Sequence, residues 1–185
     1  MQTSRSEQKQ QTRTRILGAA RKAIRARGIE KPSVGEVMGE AGLTVGGFYA
    51  HFESKDALML EALDALLSER RDFWFAHVPD GPLPERRAAA ARAYLSRKHR
   101  DAAEERCPLP TILSELPQQS PEFRALLARH IESAVGAMSA RGDKDSRRAA
   151  LADLAAMIGA LTIARALGAT PLSDEILSAT KSAIR

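Results

Sequence analysis

The chain has 185 residues, 44% of them hydrophobic, with 28 Lys and Arg against 23 Asp and Glu. That length fills one or two small domains with a real core. Its single cysteine, Cys107, excludes an intramolecular disulfide framework and a cysteine-based zinc site, and it fits a reducing cytoplasm. The N-terminus is polar, with no apolar signal region. The longest uncharged apolar stretch, Leu154 to Ala164, is too short to cross a bilayer, so a cytoplasmic chain without membrane contact is expected. Charge is unevenly spread. Residues 1–55 hold 10 Lys and Arg and 5 Asp and Glu, whereas residues 56–185 hold 18 of each. A basic segment joined to a neutral one suits a protein that grips phosphate with one end; a solvated basic surface is the plainer alternative.

Alanine and leucine dominate the apolar residues and β-branched runs are rare, so helix is the default. Residues 1–10 read as a disordered, basic-leaning arm. A first helix is expected from Gln11 to Arg27, with Leu17, Ala20 and Ile24 inward and Gly28 closing it. Ser33 with Glu36 forms a capping-box pattern that opens a second helix, and Gly42 ends it. Thr44 caps a third helix of about two turns. Ser54 caps a fourth that runs to Phe75, apolar on more than one face through Leu58, Leu60, Leu63, Leu66 and Leu67. Asp80-Gly81-Pro82-Leu83-Pro84 is the clearest break. A helix over Pro84–Ala103 follows, then an interruption at Cys107-Pro108-Leu109-Pro110 and a short helical piece over Thr111–Leu116. Pro121 opens a helix to Ala140. Arg141-Gly142-Asp143 is a turn. Helices over Asp145–Leu167 and Ser173–Ile184 complete an all-α chain without strand-like segments.

Two short helices joined by a glycine-bearing turn make the helix-turn-helix DNA-binding unit. Its second helix carries Tyr49-x-His51-Phe52 followed by Ser54-Lys55. Over Thr14 to Leu60 the order, spacing and residue types resemble the tetracycline-repressor-like (TetR/AcrR) family of transcriptional regulators. The resemblance implies an all-α homodimer with an N-terminal three-helix DNA-binding domain, here residues 11–55. A C-terminal helical ligand-binding and dimerisation domain would take residues 56–185. It also implies a palindromic double-stranded DNA operator and a small-molecule effector that releases a repressor from it. No cofactor and no metal are implied.

The N-terminal part of a reading helix enters the major groove, which here is Thr44, Val45, Gly46 and Gly47. Thr44 offers a hydroxyl and a free amide to phosphate. Two glycines are poor helix formers, so a close backbone approach to DNA explains them; close helix packing is the alternative. Val45 can touch a thymine methyl but reads no hydrogen-bonding edge, which leaves room for base-step shape or for arms such as Lys9 and Arg13. Tyr49 and His51 resemble the family's phosphate-contacting pair, with Phe48 and Phe52 facing the core. Lys55 opposes the dipole of its own helix, which makes sense beside a phosphate. Ser33 is a further backbone-contact candidate.

In the second half, Ala155, Ala156, Gly159, Ala160 and Ile163 form a small-residue and apolar stripe that resembles the family's dimer interface; packing within one subunit is the alternative. The effector candidates are Leu66, Arg70, Tyr94, Cys107, Thr111 and His130, with Phe73, Trp74, Phe75 and Phe123 as the remaining aromatics. Arg97, Lys98, His99, Arg100 and Arg106 would favour a Cys107 thiolate, and Glu104 and Glu105 would oppose it. Arg-Cys-Pro-Leu followed by Ser-Glu-Leu resembles a branch of the family in which a cysteine senses electrophiles or oxidants. That makes a thiol sensor acting through Cys107 the alternative function, and a buried small hydrophobe the plain one. HExxH, GxxxxGK, GxSxG and paired histidines are missing, so no enzyme is expected. A DNA-independent helical adaptor is the remote alternative.

Overall fold

The computed structural model describes residues 4–76, 78, 81–102 and 106–184, with residues 73–76 in their backbone alone. Asp80, Glu104, Glu105 and the side chains of Phe73, Trp74 and Phe75 lie outside the described residues. Among the described residues the fold is all-α. In chain order the helices are α1 (Arg5–Arg27), α2 (Val34–Glu40), a 3-10 helix (Val45–Ala50), α3 (Lys55–Ala76), α4 (Leu83–Tyr94) and α5 (Arg97–Asp101). Then come α6 (Leu109–Ile112), a 3-10 turn (Leu116–Gln118), α7 (Pro121–Met138), α8 (Lys144–Leu167) and α9 (Pro171–Ala183).

The short helix expected over Thr111–Leu116 falls instead at Leu109–Ile112, where Pro110 sits in its first turn, and the last helix starts at Pro171 rather than Ser173. Two further boundaries differ from the sequence reading through a serine cap. Helix α1 begins at Arg5 rather than Gln11, so residues 5–10 are helix and not a disordered arm. Ser4 accepts from the Glu7 N–H at 3.2 Å, and Glu7 accepts from the Ser4 N–H at 2.7 Å. This is the same reciprocal box that opens α2 at Ser33 and Glu36. The single helix expected over Pro84–Ala103 is broken at Leu95, and Ser96 accepts from the His99 N–H at 3.1 Å to start α5.

The apolar side chains form two clusters. The first joins Ile16, Ala20 and Ile24 of α1, Val37 and Met38 of α2, Phe48 and Phe52, and Leu58 to Leu67 of α3. Ile112, Leu116, Phe123 and Leu126 from the second half complete it, so the core beneath the N-terminal module does not close at residue 55. The second cluster gathers Ala91, Tyr94, Leu95, Cys107, Val135 and Met138 against α8 and Leu177 of α9. Among the described residues α8 alone is long and apolar enough to cross a membrane. It buries Leu154, Met157, Ile158 and Leu161 in the second cluster.

Candidate nucleic-acid interface and core cavity

The expected reading helix is a 3-10 helix, Val45–Ala50. Two adjacent glycines make a full α-helical turn unfavourable, and 3-10 geometry is the usual form of such a short piece. Its two faces separate cleanly. Phe48 is fully buried and stacks on Phe52 with ring centroids 6.0 Å apart, whereas Tyr49 is 75% and Val45 50% exposed. The Tyr49 ring stands edge-on to Phe48 at 5.2 Å, which props it on the surface. A Cβ at Gly46 would meet nothing within 4 Å, and one at Gly47 only the tip of Met38 at 4.0 Å. Packing inside the subunit therefore does not account for either glycine.

Around this ridge, Thr44 sits in extended N-cap geometry, exposed, and makes no side-chain capping bond. His51 is half-buried, and its inward Nδ1 has no hydrogen-bond partner among the described residues. Its Nε2 edge is thus the one available to a partner outside. Lys55 is half-buried and its ammonium donates to the Glu30 carbonyl at 2.5 Å. Ser33 differs from the expectation. Its hydroxyl donates to Glu36 at 3.0 Å and accepts from the Glu36 N–H at 3.2 Å, so it is already engaged in the cap. The same box, with Arg27, holds the Glu36 carboxyl down at about 2.

Much of the positive charge of residues 1–55 is paired with carboxylates. Arg13 forms a bidentate pair with Glu61 and lies 4.6 Å over the Phe52 ring. Arg21 and Arg25 face Glu69, and Lys22 and Arg27 pair with Glu40 and Glu36. Arg13 is therefore a strut between α1 and α3 rather than a free arm. Lys9, on the first turns of α1, is exposed.

The second half encloses a small cavity of about 80 Å³. Arg70, Tyr94, Cys107 and His130 line it as the sequence proposed, together with Leu67, Arg71, Leu109, Ile131, Met138 and Met157. Leu66 is not in the wall, because it is fully buried in the first cluster one position before Leu67. Thr111 is not in the wall either. Cys107 is 3% exposed. Burial pushes its thiol up, and the Tyr94 hydroxyl, the Leu109 N–H and the charges of Arg165 and Arg70 only partly oppose this. The expected activation by neighbouring cations fails for a structural reason. Arg97 and Arg100 pair with Asp174, and Arg100 also with Asp101. His99 is buried and neutral, its Nδ1 2.7 Å from the Tyr94 carbonyl while its Nε2 accepts from the Cys107 N–H at 3.2 Å. Burial pushes its pKa down to about 4.

Comparison with known proteins bears on the N-terminal module and on the fold. Residues 16–62 match the model of the bacterial regulatory proteins of the tetR family. That stretch, the helix-turn-helix and its flanking helices, is what is similar to the family. Over 60 residues it is 37% identical to the HTH-type transcriptional regulator TtgR of Pseudomonas putida, a match that takes in 32% of this chain and 29% of that relative. The probable HTH-type transcriptional regulator ArpR of Pseudomonas putida matches to the same extent. The fold likeness runs the whole length. The reduced form of Escherichia coli NemR superposes with a TM-score of 0.79 at 17% identity, over 95% of each chain. A TetR-family regulator from Cytophaga hutchinsonii gives 0.76 at 21%, over 100% of this chain and 96% of the other.

Among the described residues the outer face of α8 is apolar and uncovered. Ala155 and Ala156 are exposed, Ile163 is 51% and Leu151 41% exposed, and a Cβ on Gly159 would meet nothing within 4 Å. Leu172 at the start of α9 extends the face, 54% exposed. Ala160 is a correction. It is 6% exposed and packs in the second cluster, because one position along the helix turns its side chain by about 100° from the Gly159 direction, toward the core.

One contact between the halves was not foreseen. Glu115, just after α6, accepts from the N–H of Ile29 at 2.6 Å and of Glu30 at 3.3 Å. These amides follow Gly28, whose φ of +86° suits glycine and whose missing Cβ leaves room for the carboxylate. The Glu30 carbonyl in turn holds Lys55. A chain of contacts therefore runs from the wall residues Cys107 and Leu109, through Glu115, to the α1–α2 loop and Lys55. Nothing in the local sequence around Glu115 signals it, because its partners lie more than eighty residues away.

Proposed function

We propose that the protein is a ligand-responsive DNA-binding regulator, a cytoplasmic repressor released from a palindromic operator by a small molecule. Residues 11–55 would read DNA and residues 56–185 would sense and dimerise. The observation that carries the reading is the Val45–Tyr49 ridge: exposed side chains around a bare Gly46-Gly47 backbone on a fully packed core. Thr44, Tyr49, His51 and Lys55 would hold phosphates, which positions the module, while Val45 and the glycine backbone lie against base edges. The uncovered face of α8 and α9 would pair two subunits, setting two reading helices about one DNA turn apart.

Release requires that ligand bind unequally to two separations of the heads. Helix α3 begins at the head and reaches the cavity wall with Leu67, Arg70 and Arg71, so it can carry such a change. Glu115 adds a second route from the cavity wall to the head. Selection of bound fragments from genomic DNA, followed by anisotropy titration of the recovered sequence, tests the reading. A palindromic site bound by two subunits is expected, and recovery of no enriched sequence would count decisively against it.

A second reading, thiol sensing through Cys107, is favoured by the placement of that thiol in the cavity wall against the Tyr94 hydroxyl. Burial works against it, since a thiol with a raised pKa reacts slowly. Loss of operator binding on alkylation of the wild type but not of Cys107→Ser would establish it.

A further inference from the structure

We infer that the cavity takes a short, uncharged alcohol, read by His130 as oriented by Asp64; this deepens the sensor reading above and rests on it. His130 comes from α7 and Asp64 from α3, and Nε2 of His130 lies 2.7 Å from Asp64 Oδ1. A carboxylate only accepts, so Nε2 carries a proton, and in the uncharged form of the ring the lone pair sits on Nδ1. The His130 side chain is 10% exposed, while Asp64 on its outer side is 56% exposed. The Nδ1 edge therefore faces the interior, where His130 lines the cavity. Nδ1 is shielded from solvent, and among the described residues it has no partner. A buried acceptor in a largely apolar wall calls for a donor.

The charges of the wall sort the candidate donors. Arg70 and Arg71 line the same cavity and would repel an ammonium group. An ionised carboxylate brings no proton and would set its lone pairs against that of Nδ1. An alcohol meets both demands, because its O–H donates to Nδ1 and its oxygen accepts from a guanidinium. Its alkyl chain would lie on Leu67, Met138 and Met157. The cavity is small, about 80 Å³, which limits the chain to a few carbons.

The test titrates the full-length protein with 1-butanol, with 1-chlorobutane as a matched molecule lacking the donor, and with butyrate. Amide spectra report binding, and the imidazole nitrogen signals of His130 report the contact. Wild type should bind 1-butanol at least about fivefold more tightly than 1-chlorobutane, with the Nδ1 signal moving as the site fills. His130→Leu should lose the preference, and His130→Asn, which returns an amide near the Nδ1 position, should recover part of it. Equal affinity for 1-butanol and 1-chlorobutane, no binding of either, or binding with an unmoved Nδ1 signal would overturn the inference. Tighter binding of butyrate would also overturn it, assigning the cavity to an anion held by the arginines. Operator binding on the same preparation separates the two levels. A protein that binds DNA but not 1-butanol fails this inference alone, and one that binds no DNA fails the regulator reading.

Discussion

The N-terminal head and the C-terminal half use polar groups in opposite ways. In the head the charges are paired across helices, as in Arg13 with Glu61 and Arg27 with Glu36, while Tyr49 and His51 stand at the surface and Lys55 rests on the Glu30 carbonyl beside them. In the sensing half the candidate groups turn inward, and Cys107, Tyr94, Arg70 and His130 converge on one cavity from four separate segments. A surface that reads a polymer can be built from one short stretch of chain. A pocket that encloses a small molecule needs walls from several helices. Glu115 ties the two arrangements together.

The largest expected effect comes from the face of α8. Gly159→Leu adds a side chain whose Cβ meets nothing within 4 Å in the subunit, and leucine favours helix over glycine by about 1 kcal/mol. The isolated subunit should thus be no less stable, while the dimer is lost in sedimentation. Operator affinity should fall by at least ~100-fold as paired half-sites stop cooperating. A stable dimer in this variant would move the interface elsewhere.

Glu115→Ala tests the tie between the regions. It removes the acceptor of the Ile29 and Glu30 amides, and Ile29 is only 2% exposed. A loss of up to about 3 kcal/mol in urea unfolding is expected. Hydrogen exchange should quicken around residues 28–32 and stay unchanged in α8 and α9. Unchanged exchange in that loop would remove Glu115 from the coupling.

Acid should loosen the sensing half before the head. His99 has an ordinary pKa of 6.5, and its folded value is about 4. Below pH 6.5 the unfolded chain therefore binds the proton that the folded chain refuses. Stability is complete above that pH and falls as pH drops toward 4, by about 2 kcal/mol at pH 5. His99→Leu should flatten this part of the pH profile of unfolding; an unaltered profile would mean that another group controls it.

How much of this was legible in the sequence follows the same division. The reading unit was visible because its signals are local: Ser33 with Glu36, the turn at Gly42, and the Phe48/Tyr49 alternation. The start of α1 was missed although Ser4 with Glu7 repeats that cap signal, because polar Gln-rich helix lacks apolar periodicity. Four of the six cavity candidates lie in its wall. Leu66 missed by one helical position, which turns a side chain by about 100°, and Ala160 fell from the open face of α8 for the same reason. The contacts that decide chemistry were not legible, since Asp64 with His130 and Glu115 with Ile29 join residues far apart in the chain.

At the head the single-residue effects are smaller. Tyr49→Phe removes one hydroxyl and should weaken operator binding by about 1 kcal/mol, roughly fivefold, without changing the preferred sequence.

The salt dependence of operator binding, compared between wild type and Lys55→Ala, tests the central claim most directly. The account places Lys55 against a phosphate beside the exposed ridge. The wild type should then lose affinity steeply as salt rises. The variant should bind more weakly, with a logarithmic slope shallower by about one and the same sequence preference. A variant with the wild-type slope and affinity would contradict the account, because the head would then meet DNA through some other face.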